Sequence, residues 1–306
     1  AYLRRAVESC FDGNEGIEVE VVVVDDGSED GTRMWLRSLE DPRLRTLFQA
    51  NAGAPRARNR GLRAARAPYV KFLDDDDWLA EGALKAEVEV LRKTEADLTY
   101  GQVICVDEEG NSWIDARPTP MREVEDWLKE VIRESVSVHI SRFTYRRSLL
   151  EDIGWDPDLP VREDYDFALQ VARKNPVREM VDQAVFYYRQ HQGERVSSAS
   201  HAREYLQNHL DILIRHAQQL EDEELGTPAR WSAVAAKLWS VGRMIAVHDE
   251  AEFDRARRLV CRIAPEFRPS RPNVVLSWMD AALSPGTTEK LMLPLRRAKA
   301  SISPPR

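Results

Sequence analysis

The chain has 306 residues, enough for two domains or for one large α/β domain with an appendage, each able to bury a core. Its 44 lysines and arginines against 52 acids leave a net charge of −8, which argues against nucleic acid as a partner; 43% hydrophobic and 31% charged residues exclude a disordered or fibrous chain. Cys10, Cys105 and Cys261 suit neither a disulfide framework nor a zinc cluster, no apolar run reaches the roughly 18 residues of a membrane span, and the opening Ala1-Tyr2-Leu3-Arg4-Arg5 lacks a signal-peptide core, so a cytoplasmic protein is expected.

Leu3, Ala6, Val7 and Cys10 recur at helical spacing, so the chain opens inside an amphipathic helix. Ile17 to Val24 reads as a strand buried on both faces of a parallel sheet, ended by Asp25-Asp26-Gly27-Ser28. Ser28 or Asp30 then caps a helix over Gly31–Leu39. Leu44–Phe48 is a second strand, Pro55–Ala65 a helix, and Tyr69–Leu73 a third strand that runs into Asp74-Asp75-Asp76-Asp77. This alternation is the parallel α/β signature. Leu84–Lys93 is helical, and Leu98–Val106 with Trp113-Ile114 suggests mixed strand pairing. Short and longer helices follow over Arg147–Ile153 and Glu163–Lys174, with a last strand over Val181–Tyr188. From His201 the pattern is helical, with Leu206, Leu210, Leu213 and Ile214 on one face, Trp231–Val247 as a second long segment, and breaks at Pro265, Pro269 and Pro272.

Ligands of an open parallel sheet bind beyond the carboxyl ends of its strands, where both aspartate groups lie. Four adjacent carboxylates repel one another unless they are solvated or meet a cation, and hard oxygen ligands suit Mg²⁺ or Mn²⁺. Taken singly, Asp25-Gly27-Ser28 is also ordinary turn chemistry, and the acidic run is also an ordinary exposed loop. Asp164, beside Glu163 near the start of a helix, is placed to take a proton from a hydroxyl, although acids there also complement a helix N-terminus.

Four motifs occur in order: Val21-Val22-Val23-Val24-Asp25-Asp26-Gly27-Ser28; Asn51-Ala52-Gly53 with Ala57-Arg58-Asn59-Arg60-Gly61; Phe72-Leu73-Asp74-Asp75-Asp76-Asp77-Trp78; and Gly154-Trp155-Asp156-Pro157-Asp158-Leu159 with Glu163-Asp164-Tyr165-Asp166. Together they resemble a family 2 glycosyltransferase of the GT-A fold. The resemblance implies an α/β fold with a mostly parallel, Rossmann-like sheet flanked by helices over residues 1–200, and a helical extension over 201–306. It implies an inverting enzyme that moves a sugar from a nucleotide-diphosphate sugar, UDP-linked, to a hydroxyl of a glycan or lipid-linked saccharide.

Residue by residue, Asp25 and Asp26 would meet the nucleotide base, Asp26 through a uracil-type N–H, and Arg58 would lie near the base or diphosphate. Asp74 to Asp76 resemble the DxD element: Asp74 and Asp75 serve the donor nucleotide, while Asp74 and Asp76 bind Mn²⁺ or Mg²⁺ with His191 as a further ligand. Asp164 is the expected general base, and Trp155, Asp156 and Glu163 the acceptor side, with the Trp155 ring offered to a sugar face. Arg162 and Arg189 read either as holders of phosphate or acceptor or as solvated surface.

Family members begin with a strand and loop ahead of the helix at Tyr2; their absence here suggests a truncated chain. The helical tail is left with three roles, packing over the acceptor side, homodimerisation, or peripheral docking at the inner face of a membrane, and its basic end, Arg296, Arg297, Lys299 and Arg306 beside Leu291, Met292, Leu293 and Leu295, reads by default as a solvated C-terminus and otherwise as a docking surface. Two other functions compete. A nucleotidyltransferase would need a glycine-rich basic phosphate loop, which the sequence does not show, and a non-catalytic nucleotide-sugar or glycan-binding module would share the donor motifs.

Overall fold

The computed structural model describes residues 2–115, 124–190, 202–270 and 274–302. The chain divides into two units, residues 1–127 with 134–193 and residues 128–133 with 194–306.

In the first unit, α1 (Tyr2–Ser9) buries Ala6 and Val7 along its apolar stripe. β1 (Val21–Asp26) is a run of branched residues suited to a pleated strand, followed by α2 (Thr32–Arg37). β1 pairs in parallel with β2 (Leu44–Gln49), Val24 opposite Leu47 and Asp26 opposite Gln49. Its valines are half-buried rather than enclosed on both faces, and the ladder continues through both aspartates. The cap of α2 falls to Asp30, whose Oδ1 accepts from the Thr32 N–H at 2.9 Å; Ser28 instead gives its N–H to Asp25. α3 (Ala54–Ala64) packs on β1, with Gly61 facing Val24.

Six further strands form a second sheet: β3 (Tyr69–Lys71), β4 (Trp78–Leu79), β5 (Leu98–Val106), β6 (Ser112–Ile114), β7 (Phe143–Arg146) and β8 (Arg178–Arg189). α4 (Ala83–Lys93) follows β4, α5 (Trp127–Arg133) precedes β7, and α6 (Glu163–Arg173) precedes β8. The strand order is β3-β7-β5-β8-β4, with β6 added on β5. β5 and β8 are parallel and the other pairs antiparallel, so mixed pairing extends well beyond the Leu98–Ile114 region where the sequence placed it. Loop length sets the β5–β6 pair: the five residues between these strands permit a hairpin, whereas a parallel return needs a crossover of about a dozen residues. Within β5, Gly101 is required sterically. A Cβ there would lie 2.4 Å from Val185 Cγ1 and 2.7 Å from the Gln183 carbonyl, on β8.

β3 and β4 stand at opposite ends of that order, yet only residues 72–77 separate them. In a flat sheet, four strand spacings of about 4.8 Å come to about 19 Å. A six-residue link containing a turn from the Asp74 carbonyl to the Asp77 N–H is too short to lie slack over that span, so the sheet curls. The acidic run is thereby drawn across the strand ends. Beneath it Phe72, Trp155 and Phe167 interlock, the last two stacked with centroids 4.3 Å apart.

The second unit is helical: α7 (Ala202–Asp222), α8 (Pro228–Ile245), α9 (Glu250–Ile263), α10 (Val274–Leu283) and α11 (Pro285–Ile302). α7 buries Leu210 and Leu213, with Leu206 and Ile214 half-buried beside them. Thr227 caps α8 and Asp249 caps α9 by accepting backbone N–H bonds. The basic end is engaged within the unit: Arg296 pairs with buried Glu289 at 2.6 Å, Lys290 with Asp254 at 2.8 Å, and Arg297 Nε donates to the Val247 carbonyl. Lys299 and Arg306 have side chains outside the described residues. No helix among the described residues is long and apolar enough to cross a membrane.

Candidate active site

The motif on α3 works by reaching across to α6. Arg58 Nη2 donates to Asp74 Oδ1 and Nη1 to Glu163 Oε1, both at 2.9 Å, and its guanidinium lies 4.6 Å from the Trp155 ring centroid. Burial alone would lower the Arg58 pKa, but the two carboxylates hold it above its ordinary value, so the cation is permanent. Its neighbour Asn59 fixes the next segment: Asn59 Nδ2 donates to the Trp155 carbonyl at 2.6 Å, and the Trp155 N–H returns a bond to Asn59 Oδ1 at 2.9 Å. Residues far apart in sequence thus share one pocket. Asp164, half-buried in the first turn of α6, bonds the Tyr165 N–H through Oδ1, and its charge is felt at both Glu163 and His139.

Behind the acidic run lies a second group. Ligand atoms of Asp74, Asp77 and His139 all fall within 4.8 Å of one another. Asp77 is 1% exposed; its Oδ1 accepts from the Arg189 N–H at 3.0 Å, while its Oδ2 and the Nδ1 of His139 are buried without a hydrogen-bond partner among the described residues. Burial first, then the charges of Asp74, Asp76 and Asp75, push the Asp77 carboxyl up to about 8 against the Arg189 N–H. Burial lowers the His139 imidazole below its ordinary value against the pull of Asp74 and Asp164, which leaves it neutral. Asp74, Asp77 on giving up its proton, and a neutral imidazole make a donor set that fits a divalent cation such as Mn²⁺.

Four of the expected residues stand in surroundings that the sequence did not display. The Asp25 side chain is fully buried, with Oδ1 taking the Ser28 N–H and Oδ2 the Arg33 Nε at 2.8 Å, so it closes the turn after β1. Trp155 has no free face for an acceptor sugar, being 2% exposed between Phe167 and Arg58. Asp76 stands outside the group of ligand atoms, where the third member is Asp77, because the i to i+3 turn folds Asp77 back beneath Asp74. Arg162 is not a solvated surface residue: its side chain is 11% exposed and it pairs with Glu134.

The remaining expectations are placed as follows. Asp26 takes Gln49 Nε2 and the Ala52 N–H on Oδ1 and the Gly53 N–H on Oδ2, which leaves one of about four lone-pair sites for a base. Asp75 is exposed and Asp156 Oδ1 accepts from the Asp158 N–H within a turn. Arg189 donates to the Tyr2 hydroxyl. His191 lies outside the described residues. Sequence reasoning missed Asn59 and His139. Asn59 sits inside a quoted motif; His139, alone between Val138 and Ile140, carries no spacing that marks it.

The chain is similar to known glycosyltransferases. "Uncharacterized glycosyltransferase EpsJ" of Bacillus subtilis (strain 168) is 26% identical over 196 residues, covering 60% of this chain and 57% of that protein. "Chondroitin synthase" of Escherichia coli is 31% identical over 206 residues, which is 64% of this chain and 28% of that one. The chain therefore spans little more than half the length of the first and under a third of the second. The crystal structure of residues 1–349 of S. aureus TarS in complex with UDP-GlcNAc matches with a TM-score of 0.68 at 19% identity, over 97% of this chain and 88% of that one, so the GT-A fold is shared. Residues 1–154, just over half of the 306, match the family described as "Glycosyl transferase family 2". On the strength of that match the chain belongs to glycosyl transferase family 2.

Proposed function

We propose that the chain transfers a sugar from a UDP-linked donor to a hydroxyl of a glycan or lipid-linked saccharide, with inversion at the anomeric carbon. The observation that carries this reading is the Arg58 bridge, which ties a donor-side aspartate to the helix bearing Asp164. The UDP-GlcNAc and UDP complexes of TarS support a UDP-linked donor. Asp26 and Asp75 are left to contact the nucleotide, and Glu163 and Asp156 stand on the acceptor side. A divalent cation, Mn²⁺ or Mg²⁺, when bound beside Asp74 supplies Lewis-acid stabilisation of charge on the departing diphosphate.

Asp164 accepts the proton of the acceptor hydroxyl. The freed oxygen bonds the anomeric carbon as the bond from that carbon to the diphosphate oxygen breaks, and UDP leaves with the electron pair. Attack from the opposite face turns an α-linked donor into a β-linked product. Arg58 holds Asp74 and Glu163 in place throughout and lies over the Trp155 ring. The test is UDP release from a panel of UDP-sugars with Mn²⁺ and saccharide acceptors. Asp164→Asn is expected to cut kcat by about 10²- to 10⁴-fold while leaving UDP affinity intact. A variant with undiminished kcat shows that another group is the base. UDP binding without release from any donor identifies a binding module instead.

A further inference from the structure

Arg162 breaks two local rules at the head of the helix that carries Asp164. α6 starts from this residue, whose carbonyl accepts the Asp166 N–H at 3.1 Å, yet its backbone is left-handed (φ 68°) and its side chain makes no cap hydrogen bond. A short polar side chain in extended backbone is the usual choice there. An arginine instead adds left-handed strain and sets a cation at the positive end of the helix. Its partner shares the strain: of the five described residues other than glycine with positive φ, two, Arg162 and Glu134 (φ 55°), are ion-paired to each other. The guanidinium also lies 4.3 Å from the ring centroid of Tyr165, a residue 1% exposed.

One side chain thus locks two distant segments in unfavourable backbone, a local conflict of the kind that survives where position matters. What the lock sets is the first turn of α6. Asp164 stands in that turn between Arg162 and Tyr165, and its Oδ1 takes the Tyr165 N–H at 2.7 Å, so the placing of its carboxylate follows the backbone there. We infer that Arg162, held by Glu134 and Tyr165, is a positioning residue for the proposed general base, fixing the turn so that Asp164 meets the acceptor hydroxyl. The inference rests on the transferase reading and adds to it a source of the precision that proton transfer needs, since a misplacement of about 1 Å costs on the order of 10²-fold in rate.

The test exploits the freedom of glycine in left-handed backbone: Arg162→Gly keeps the turn and removes the guanidinium. A melting curve checks that it folds. Its kcat for UDP release with acceptor is expected to fall about tenfold to a hundredfold while UDP affinity holds, and the Tyr165 and Asp166 amides are expected to exchange faster with deuterium. Millimolar guanidinium ion, occupying the gap between Glu134 and the Tyr165 ring, is expected to restore both. Glu134→Gln is expected to lower kcat and speed exchange without such rescue, because Arg162 is still present; it also carries the test if the glycine variant unfolds. Undiminished kcat, with or without faster exchange, overturns the inference. So does a fall in kcat that guanidinium leaves unrestored, or a loss of UDP affinity, which makes Arg162 a phosphate holder. A wild type that releases no UDP from any donor overturns the transferase reading whatever the exchange shows, whereas a wild type that transfers, with variants that equal it, overturns this inference alone.

Discussion

Trp155 carries its motif for a reason other than sugar recognition. Its ring stacks on Phe167 with planes 8° apart, meets Phe72 edge-on and lies under the Arg58 guanidinium, so it is the floor on which the Arg58 bridge rests. Removing so large a buried ring leaves a cavity that the surrounding structure fills only in part. Trp155→Ala is therefore expected to cost about 3–5 kcal/mol of stability, read from urea unfolding. A variant with an unchanged unfolding midpoint and only a raised acceptor KM returns the ring to the sugar. The sequence displays Trp155 and its neighbours plainly, because Gly154, Asp156 and Pro157 are turn chemistry. It does not display burial, which depends on Phe167 arriving from α6 and Phe72 from the end of β3.

The same limit applies to whole elements. The strands over Val21–Asp26 and Leu44–Gln49 and the helices over Ala54–Ala64 and Glu163–Arg173 were legible because branched runs, caps and apolar spacing are local signals. Which strand lies beside which was not, since pairing in the second sheet is set by contacts between segments distant in sequence. Asp25 shows what this costs a reader of motifs: the element it joins, α2, supplies Arg33, whose Nε meets Asp25 Oδ2 at 2.8 Å and whose Nη2 meets the Gln49 carbonyl at 3.2 Å. That clamp ties β1, β2 and α2 together. Burial alone would raise the Asp25 pKa, but the Ser28 and Arg33 hydrogen bonds outweigh it and hold the carboxyl below its ordinary value. A depressed folded pKa gives stability that is present above the unfolded value of about 3.9 and is lost as pH falls through the folded one. Arg33→Gln is thus expected to cost about 1–2 kcal/mol at pH 7, the lower end reflecting the partial exposure of Arg33. The gap between variant and wild type should begin to narrow below about pH 4 and go on narrowing as pH falls through the lower folded pKa of Asp25 in the wild type. Urea unfolding at neutral pH and at pH 2.5 checks this, and an equal gap at both contradicts the clamp.

At the scale of the molecule, the decisive quantity is charge. The chain carries −8, and the segment drawn over the strand ends concentrates Asp74, Asp75 and Asp76 where an anionic UDP group would have to arrive, Asp77 being buried beneath them with its carboxyl pushed up to about 8. Arg58, the cation fixed in this pocket, is already shared between Asp74 and Glu163, so it neutralises the protein's own acids before any ligand. Without a metal ion the approaching diphosphate therefore meets net repulsion, screened only beyond about 8 Å at physiological ionic strength. Two consequences follow for UDP affinity measured by calorimetry. In EDTA it should be at least tenfold weaker than with Mn²⁺, and it should improve as salt rises, because screening relieves the repulsion. With Mn²⁺ present the sign should flatten or reverse, since salt then screens an attraction. An affinity in EDTA that equals the Mn²⁺ value, or that falls with added salt, means that fixed positive groups other than Arg58 receive the diphosphate, and the role given to the acidic run has to be abandoned.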